Sequence, residues 1–172
     1  IAGVAQASST VDLPTAGVTL SAPDADNRLI SGRAKNIGDF NNDGYDDFMI
    51  GVYYNSEGGS YAGKVYLYYG SATRLTDGDL TDADAAFIGS EGRITGSDLS
   101  GDGDINNDGC ADVLIGAEGV YLTSSAIDGR VYFLYGRGTG CASTTAYSGD
   151  YTLDSSADAI FTGKALGDYA GT

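Results

Sequence analysis

The 172-residue sequence contains no histidine and no tryptophan, and only one methionine, two prolines and two cysteines. Without histidine there is no imidazole base, and without a C-x-x-C pair there is no cysteine–histidine metal site. No G-x-S-x-G elbow, metalloprotease helix motif or reactive-cysteine context occurs either. The chain therefore reads as a non-enzyme. A glycosidase-like carboxylate pair is conceivable, but 24 acidic residues produce such pairs by chance. Basic residues are scarce: nine Lys and Arg leave a formal net charge of −15. That excludes the basic patch of a nucleic-acid binder and disfavours an anionic membrane surface. No run of about 20 apolar residues is present to span a bilayer as a helix. No long segment combines helical periodicity with caps.

Glycine, by contrast, is abundant at 27 residues, and 13 tyrosines outnumber five phenylalanines. Segments such as Val65-Tyr66-Leu67-Tyr68-Tyr69 join β-branched and aromatic residues, so the expected fold is all-β. Two stretches share one pattern, D-x-N-N-D-G-x-x-D. They are Asp39-Phe40-Asn41-Asn42-Asp43-Gly44-Tyr45-Asp46-Asp47 and Asp104-Ile105-Asn106-Asn107-Asp108-Gly109-Cys110-Ala111-Asp112. Oxygen-bearing side chains at positions 1, 3, 5 and 9 can converge on one hard cation. Glycine at 6 permits the turn, and the position-7 carbonyl can add a ligand. Such a flexible all-oxygen loop suits Ca2+ better than Mg2+, which demands stricter octahedral geometry. Two ions would bring the net charge to about −11. An EF-hand would need Glu at position 12, where Ile50 and Ile115 stand. The alternative is a metal-free Asx/Gly turn between strands.

The loops begin 65 residues apart, and the similarity extends beyond them. Asp47-Phe48-Met49-Ile50-Gly51 is followed by Gly58-Gly59 and then by Lys64-Val65-Tyr66-Leu67-Tyr68-Tyr69-Gly70. Asp112-Val113-Leu114-Ile115-Gly116-Ala117 is followed by Asp128-Gly129 and then by Arg130-Val131-Tyr132-Phe133-Leu134-Tyr135-Gly136. A period of this size built from short strands predicts propeller-like blades. The pattern resembles the FG-GAP repeat, the blade of the calcium-binding β-propeller in integrin alpha chains and many secreted bacterial proteins. Leu114-Ile115-Gly116-Ala117 looks like its "GAP" part. The "FG" part is degenerate, with Ile30-Ser31-Gly32, Phe87-Ile88-Gly89 and Phe161-Thr162-Gly163 in its place. The resemblance implies antiparallel blades and calcium bound through positions 1, 3, 5, 7 and 9 of each loop. These are Asp39, Asn41, Asp43, Tyr45 and Asp47, and Asp104, Asn106, Asp108, Cys110 and Asp112. Tyr45 and Cys110 would act through their backbone carbonyls.

The expected organisation is an arm (1–23), a first blade (24–75), a second (76–140), a linker (141–150) and a partial third blade (151–172). Ala5-Gln6-Ala7 has the small-residue form of a signal-peptide end, but 1–23 is read as a structural arm. In that arm, Ile1–Ala5 is expected to extend a neighbouring copy as an added strand, head to tail. Asp98 and Asp102 are expected in a solvated loop, with approach to the second ion as the alternative. The acidic turn around Asp77, Asp79, Asp82 and Asp84 is expected to be solvated. Antiparallel pairing of Val113–Ala117 with Val131–Tyr135 would bring Cys110 near Cys141, so a disulfide is expected, with two buried thiols as the alternative. A disulfide implies an oxidising compartment. The functional expectation is an extracellular calcium-binding structural or adhesive module. Its partners would be other copies of itself, a surface protein, or a glycan docked on Tyr53, Tyr54 and Tyr61. The alternative is a ligand-binding fragment of a larger secreted enzyme or adhesin.

Overall fold

All five residues of Lys64–Tyr68 are buried on both faces, so this strand must lie inside a sheet and between two layers. The computed structural model places it there. It describes residues 10–12, 19–21, 34–73, 75–122, 125–165, 168 and 170–172. The first sheet has the order Ala34–Gly38, Asp47–Val52, Lys64–Tyr68, Ala85–Ile88, Gly149–Thr152. All its pairings are antiparallel except the last, which is parallel. The second sheet has the order Thr95–Gly103, Asp112–Ala117, Arg130–Leu134, Ala159–Thr162, antiparallel throughout. Helix is confined to the 3-10 turn Leu80–Asp82 and the single turn Leu153–Ser156 among the described residues. The fold is all-β, as the strand composition predicted.

Alternation along the strands creates two cores. Met49, Val65, Leu67, Ala85 and Phe87 project from the first sheet towards Val113, Ile115, Ala117, Tyr132 and Leu134 of the second. This inter-blade core also holds Ile37, Phe40 and Leu99. Each large apolar side chain buried here contributes roughly 1.5–3 kcal/mol. The opposite face of the first sheet carries Ile50, Val52, Tyr66, Tyr68 and Ala86, covered by Leu80 with Leu20 and Ala83. Leu20 belongs to Thr19–Ser21, which pairs with Thr10–Asp12 and with Gly78–Asp79 of the same chain. Ile1–Ala5, the segment expected to reach a neighbour, lies outside the described residues.

The sheet bonds differ from the expected segment bounds in three places. Ala85–Ile88 hydrogen-bonds to Lys64–Tyr68, so it is the fourth strand of the first blade and not the start of the second. Ala159–Thr162 likewise completes the second blade rather than opening a third. In both blades the β-segment that follows the third strand satisfies that strand's outer backbone groups. The segment 141–150, expected as a linker, inserts Tyr147 into the inter-blade core at 1% exposure. Its ring stacks on Phe40 at 5.6 Å and meets Phe87 edge-on at 5.2 Å. Asp98 and Asp102 fall in the strand Thr95–Gly103 rather than in a loop. Asp79 and Asp82 form a capping box, and Asp84 accepts the Tyr69 N–H at 2.8 Å.

Tyr147→Ala is expected to destabilise the chain by about 3 kcal/mol or more, the scale of a buried aromatic truncation. Urea unfolding measures this. A loss under about 0.5 kcal/mol, the usual surface value, would restore the linker reading.

Candidate metal centre

The two acidic loops fold alike, bond for bond. At position 1, Asp39 accepts the N–H of Asp43 at 3.0 Å and of Gly44 at 2.8 Å. Asp104 accepts those of Asp108 at 3.0 Å and Gly109 at 2.9 Å. At position 3, Asn41 and Asn106 accept the position-5 N–H and donate Nδ2 to the position-5 carboxylate. At position 5, Asp43 and Asp108 accept the position-7 N–H, from Tyr45 and Cys110. Position 4 adopts the left-handed region, with φ of 55° at Asn42 and 57° at Asn107. Asparagine tolerates that region better than most side chains. Gly44 and Gly109 have φ of 93° and 91°, yet a Cβ on either would meet nothing within 4 Å. Glycine is required there for its dihedral, not for space.

Position 9 behaves differently. Asp47 and Asp112 are 1% and 2% exposed. Asp47 accepts the Phe40 N–H at 2.8 Å and the Gly70 N–H at 2.7 Å. Asp112 accepts the Ile105 N–H at 2.7 Å and the Gly136 N–H at 2.9 Å. Each carboxylate thus ties the start of its loop to the exit of the third strand. Burial pushes the Asp47 carboxyl up to about 6, with the Asp43 and Asp39 charges adding to the rise and the Gly70 and Phe40 N–H groups opposing it. Burial also raises Asp108, but N–H groups of Ala142 and Cys110 and the Asn106 side chain outweigh it and hold that carboxyl below its ordinary range.

Among the described residues, no three acidic side chains are already drawn into a closed cage. The oxygens of positions 1, 3 and 5 instead accept N–H groups of their own loop and, at Asp108, also that of Ala142. That donor set consists only of hard oxygens and fits a calcium ion.

The loops are also joined to one another. The Asp39 carbonyl accepts the Ala111 N–H, and the Phe40 carbonyl the Arg137 N–H, both at 3.0 Å. Asn42 Nδ2 donates to the Thr139 carbonyl at 2.8 Å, and Ala142 N–H donates to Asp108 at 2.7 Å. A turn over residues 137–143 therefore clasps both loops. Cys110 and Cys141 form the expected disulfide, with Cα atoms 5.7 Å apart, anchoring this turn to position 7 of the second loop. The clasp escaped sequence reasoning. Its signal was Gly136-x-Gly138-x-Gly140, since a Cβ on Gly138 would lie 1.8 Å from the Asn41 carbonyl oxygen. Asp84 and Asp158 were missed as well. They accept the N–H of Tyr69 at 2.8 Å and of Tyr135 at 2.9 Å, and so repeat between the blades as the loops do.

The FG-GAP repeat model matches residues 36–68 and 95–134, each match containing one loop and the strands that flank it. The chain carries two FG-GAP repeats. The sheets described above are accordingly blades of the propeller type. The chain is 33% identical over 143 residues to a mouse phosphatidylinositol-glycan-specific phospholipase D. It is 34% identical over 140 residues to the rat protein of that name. Each alignment covers 78% of this chain, and the chain spans 16% of the length of these relatives. The disulfide and the repeats fit a secreted or extracellular protein.

Two outcomes follow from this geometry. Reducing the 31-residue cross-link, or replacing both cysteines by serine, is expected to cost about 2–4 kcal/mol in urea unfolding. The Asp47 carboxyl is raised in the folded chain, so in chelator its contribution to stability is complete below its ordinary value and lost as pH climbs through about 6. Stability in chelator should therefore fall as pH rises from about 4 to about 6, and Asp47→Asn should flatten that fall. An unchanged slope in the variant would assign the pH dependence elsewhere.

Proposed function

We propose that this chain is a non-enzymatic, calcium-binding structural module of an extracellular protein, and that it associates with other copies of itself. The observation that carries the calcium reading is the bond-for-bond identity of the two loops, each with side-chain oxygens at positions 1, 3, 5 and 9. Asp39, Asn41, Asp43, the Tyr45 carbonyl and Asp47 would hold one ion. Asp104, Asn106, Asp108, the Cys110 carbonyl and Asp112 would hold the other. A bound ion supplies positive charge where three carboxylates otherwise repel. The protein residues supply the shape: Gly44 and Gly109 set the turn, and buried Asp47 and Asp112 lock each loop to its blade. Since calcium would bind only the folded loops, it would stabilise by about 2.7 kcal/mol at a concentration 100-fold above the dissociation constant. Modest affinity suffices outside the cell.

A second reading has its own support. The phospholipase D relatives are several times longer than the chain, so this region can be the repeat portion of a larger enzyme. In that setting the tyrosines at the tip of the first blade would bind ligand. Tyr54 contacts both Tyr53 and Tyr61, with centroids 4.5 Å and 5.7 Å away, and Tyr61 is 45% exposed.

Calorimetric titration with calcium is expected to give two ions per chain, and one in Asp43→Ala or Asp108→Ala. Two ions in both variants, or none in the unaltered chain, would overturn the assignment. Glycan binding that disappears in Tyr61→Ala with calcium stoichiometry intact would favour the second reading.

A further inference from the structure

The two acidic loops repeat each other bond for bond within themselves, but they are not held alike from outside. The difference lies in the turn over residues 137–143. This turn closes on itself: the Gly138 N–H donates to the Ser143 carbonyl at 2.9 Å, and the Cys141 N–H to the Gly138 carbonyl at 3.2 Å. From that frame it reaches the second loop at two of the positions assigned to the ion. Cys141 is cross-linked to Cys110, at position 7. The next residue, Ala142, donates its N–H at 2.7 Å to Oδ2 of Asp108, at position 5. Cys110 is fully buried, and a Cβ on Gly136 would lie 2.7 Å from the Cys110 Cβ. Strand exit, turn and position 7 are therefore in close contact.

The same turn bonds to the first loop at other positions. The Arg137 N–H donates to the Phe40 carbonyl at 3.0 Å, and the Thr139 carbonyl accepts Asn42 Nδ2 at 2.8 Å. Phe40 and Asn42 stand at positions 2 and 4, which supply no ligand in the assignment above. Positions 5 and 7 of the first loop have neither tie. Among the described residues, the Asp43 carboxylate accepts only from Asn41 Nδ2 and the Tyr45 N–H, both in its own loop. Tyr45 is 44% exposed. The corresponding segment after the third strand of the first blade bonds to itself, through the Ser71 hydroxyl and Thr73.

We infer that Cys141 and Ala142 are positioning residues of the second calcium site alone, holding the Cys110 carbonyl and the Asp108 carboxylate where an ion needs them. The inference rests on the calcium reading above and gives its two sites different support. An ion that enters an unsupported loop must also order it, and that ordering is subtracted from its affinity. In the second loop, folding and the cross-link have already done part of the ordering. The Ala142 bond does not use up the ligand. A carboxylate offers about four acceptor positions, and Asp108 fills three, with Cys110, Asn106 and Ala142.

Calcium titration followed by proton–nitrogen NMR reads the two sites apart. The reporters are the Gly44 and Gly109 amides, each bonded to the position-1 carboxylate of its own loop. In the double variant Cys110→Ser with Cys141→Ser, the calcium concentration at the Gly109 midpoint should rise about 10–100-fold, the usual effect of removing a metal ligand's supporting partner. The Gly44 midpoint should stay where it was. Ala142→Pro removes the one N–H and keeps the cross-link, and it should move Gly109 in the same direction with Gly44 unmoved. That variant carries the test if circular dichroism shows the double variant to have lost its strands. A role in general stability alone would move both midpoints together or neither. Either result overturns the inference and leaves the calcium reading standing. Amides indifferent to calcium in the unaltered chain would overturn both.

Discussion

A buried aspartate with both oxygens committed to backbone N–H groups is the constraint on which each blade depends. Asp47 and Asp112 sit at the junction of three elements: the entry of an acidic loop, the second strand and the exit of the third. A buried carboxylate is costly unless donors meet its lone pairs. Two short N–H bonds per carboxylate offset part of that cost and fix the loop's orientation relative to the sheet. The other loop oxygens then fall into place locally, through Asx-type bonds spanning two to five residues. Position 9 is therefore the point where loop chemistry and blade packing are the same interaction. A cation in the loop would draw on a residue whose first task is to hold the fold, and ion binding and blade stability would be coupled by construction.

The disulfide and the 137–143 turn extend that coupling from one blade to the next. Backbone bonds from Ala111 to Asp39 and from Arg137 to Phe40 place the two loops side by side. The turn then reaches both, through Thr139 to Asn42 and through Ala142 to Asp108. Arg137 completes the joint: its guanidinium lies 4.4 Å from the Tyr147 ring centroid and bonds Asp158 at 2.9 Å. Tyr147 in turn fills the centre of the inter-blade core. Loop, staple and core thus meet within a short stretch of chain that composition alone marks as a Ser/Thr-rich linker.

What the sequence made legible was local or periodic. The loops were readable because D-x-N-N-D-G-x-x-D states a dihedral requirement at Gly44 and Gly109 and a donor set in one line. The strands were readable from β-branched and aromatic runs, and the Cys110–Cys141 pairing from the antiparallel register of the strands between them. Pairing across sequence distance was not readable. Ala85–Ile88 and Ala159–Thr162 stand after the third strand in the chain and bond backward onto its open edge. Asp84 looked like surface acidity and Asp158 like the start of a third blade, and only the N–H groups of Tyr69 and Tyr135 reveal them as straps. Tyr147 carries no periodic signal at all. It is an isolated aromatic in a polar stretch, and its burial depends on the rings of Phe40 and Phe87, which come from distant strands and loops.

Repetition also explains why the blades differ in exposure while agreeing in sequence. Phe87 and Phe161 occupy the same row position, and the same apolar pattern surrounds both. Their exposures differ because a blade buries one face only when a neighbour supplies the other half of the core. The first blade has such a neighbour on one side and a covering of Leu80 and Leu20 on the other. Even its glycine seam is reproduced. A Cβ added to Gly96 would lie 3.0 Å from the Gly51 Cα, and one added to Gly171 would lie 3.2 Å from the Gly116 Cα. The backbone seam of the second blade is thus closed in the same manner as the first, while its side-chain face stays open at Phe161. A large aromatic left in water on an edge strand, in a row that its twin fully buries, is the signature of a face shaped for another sheet.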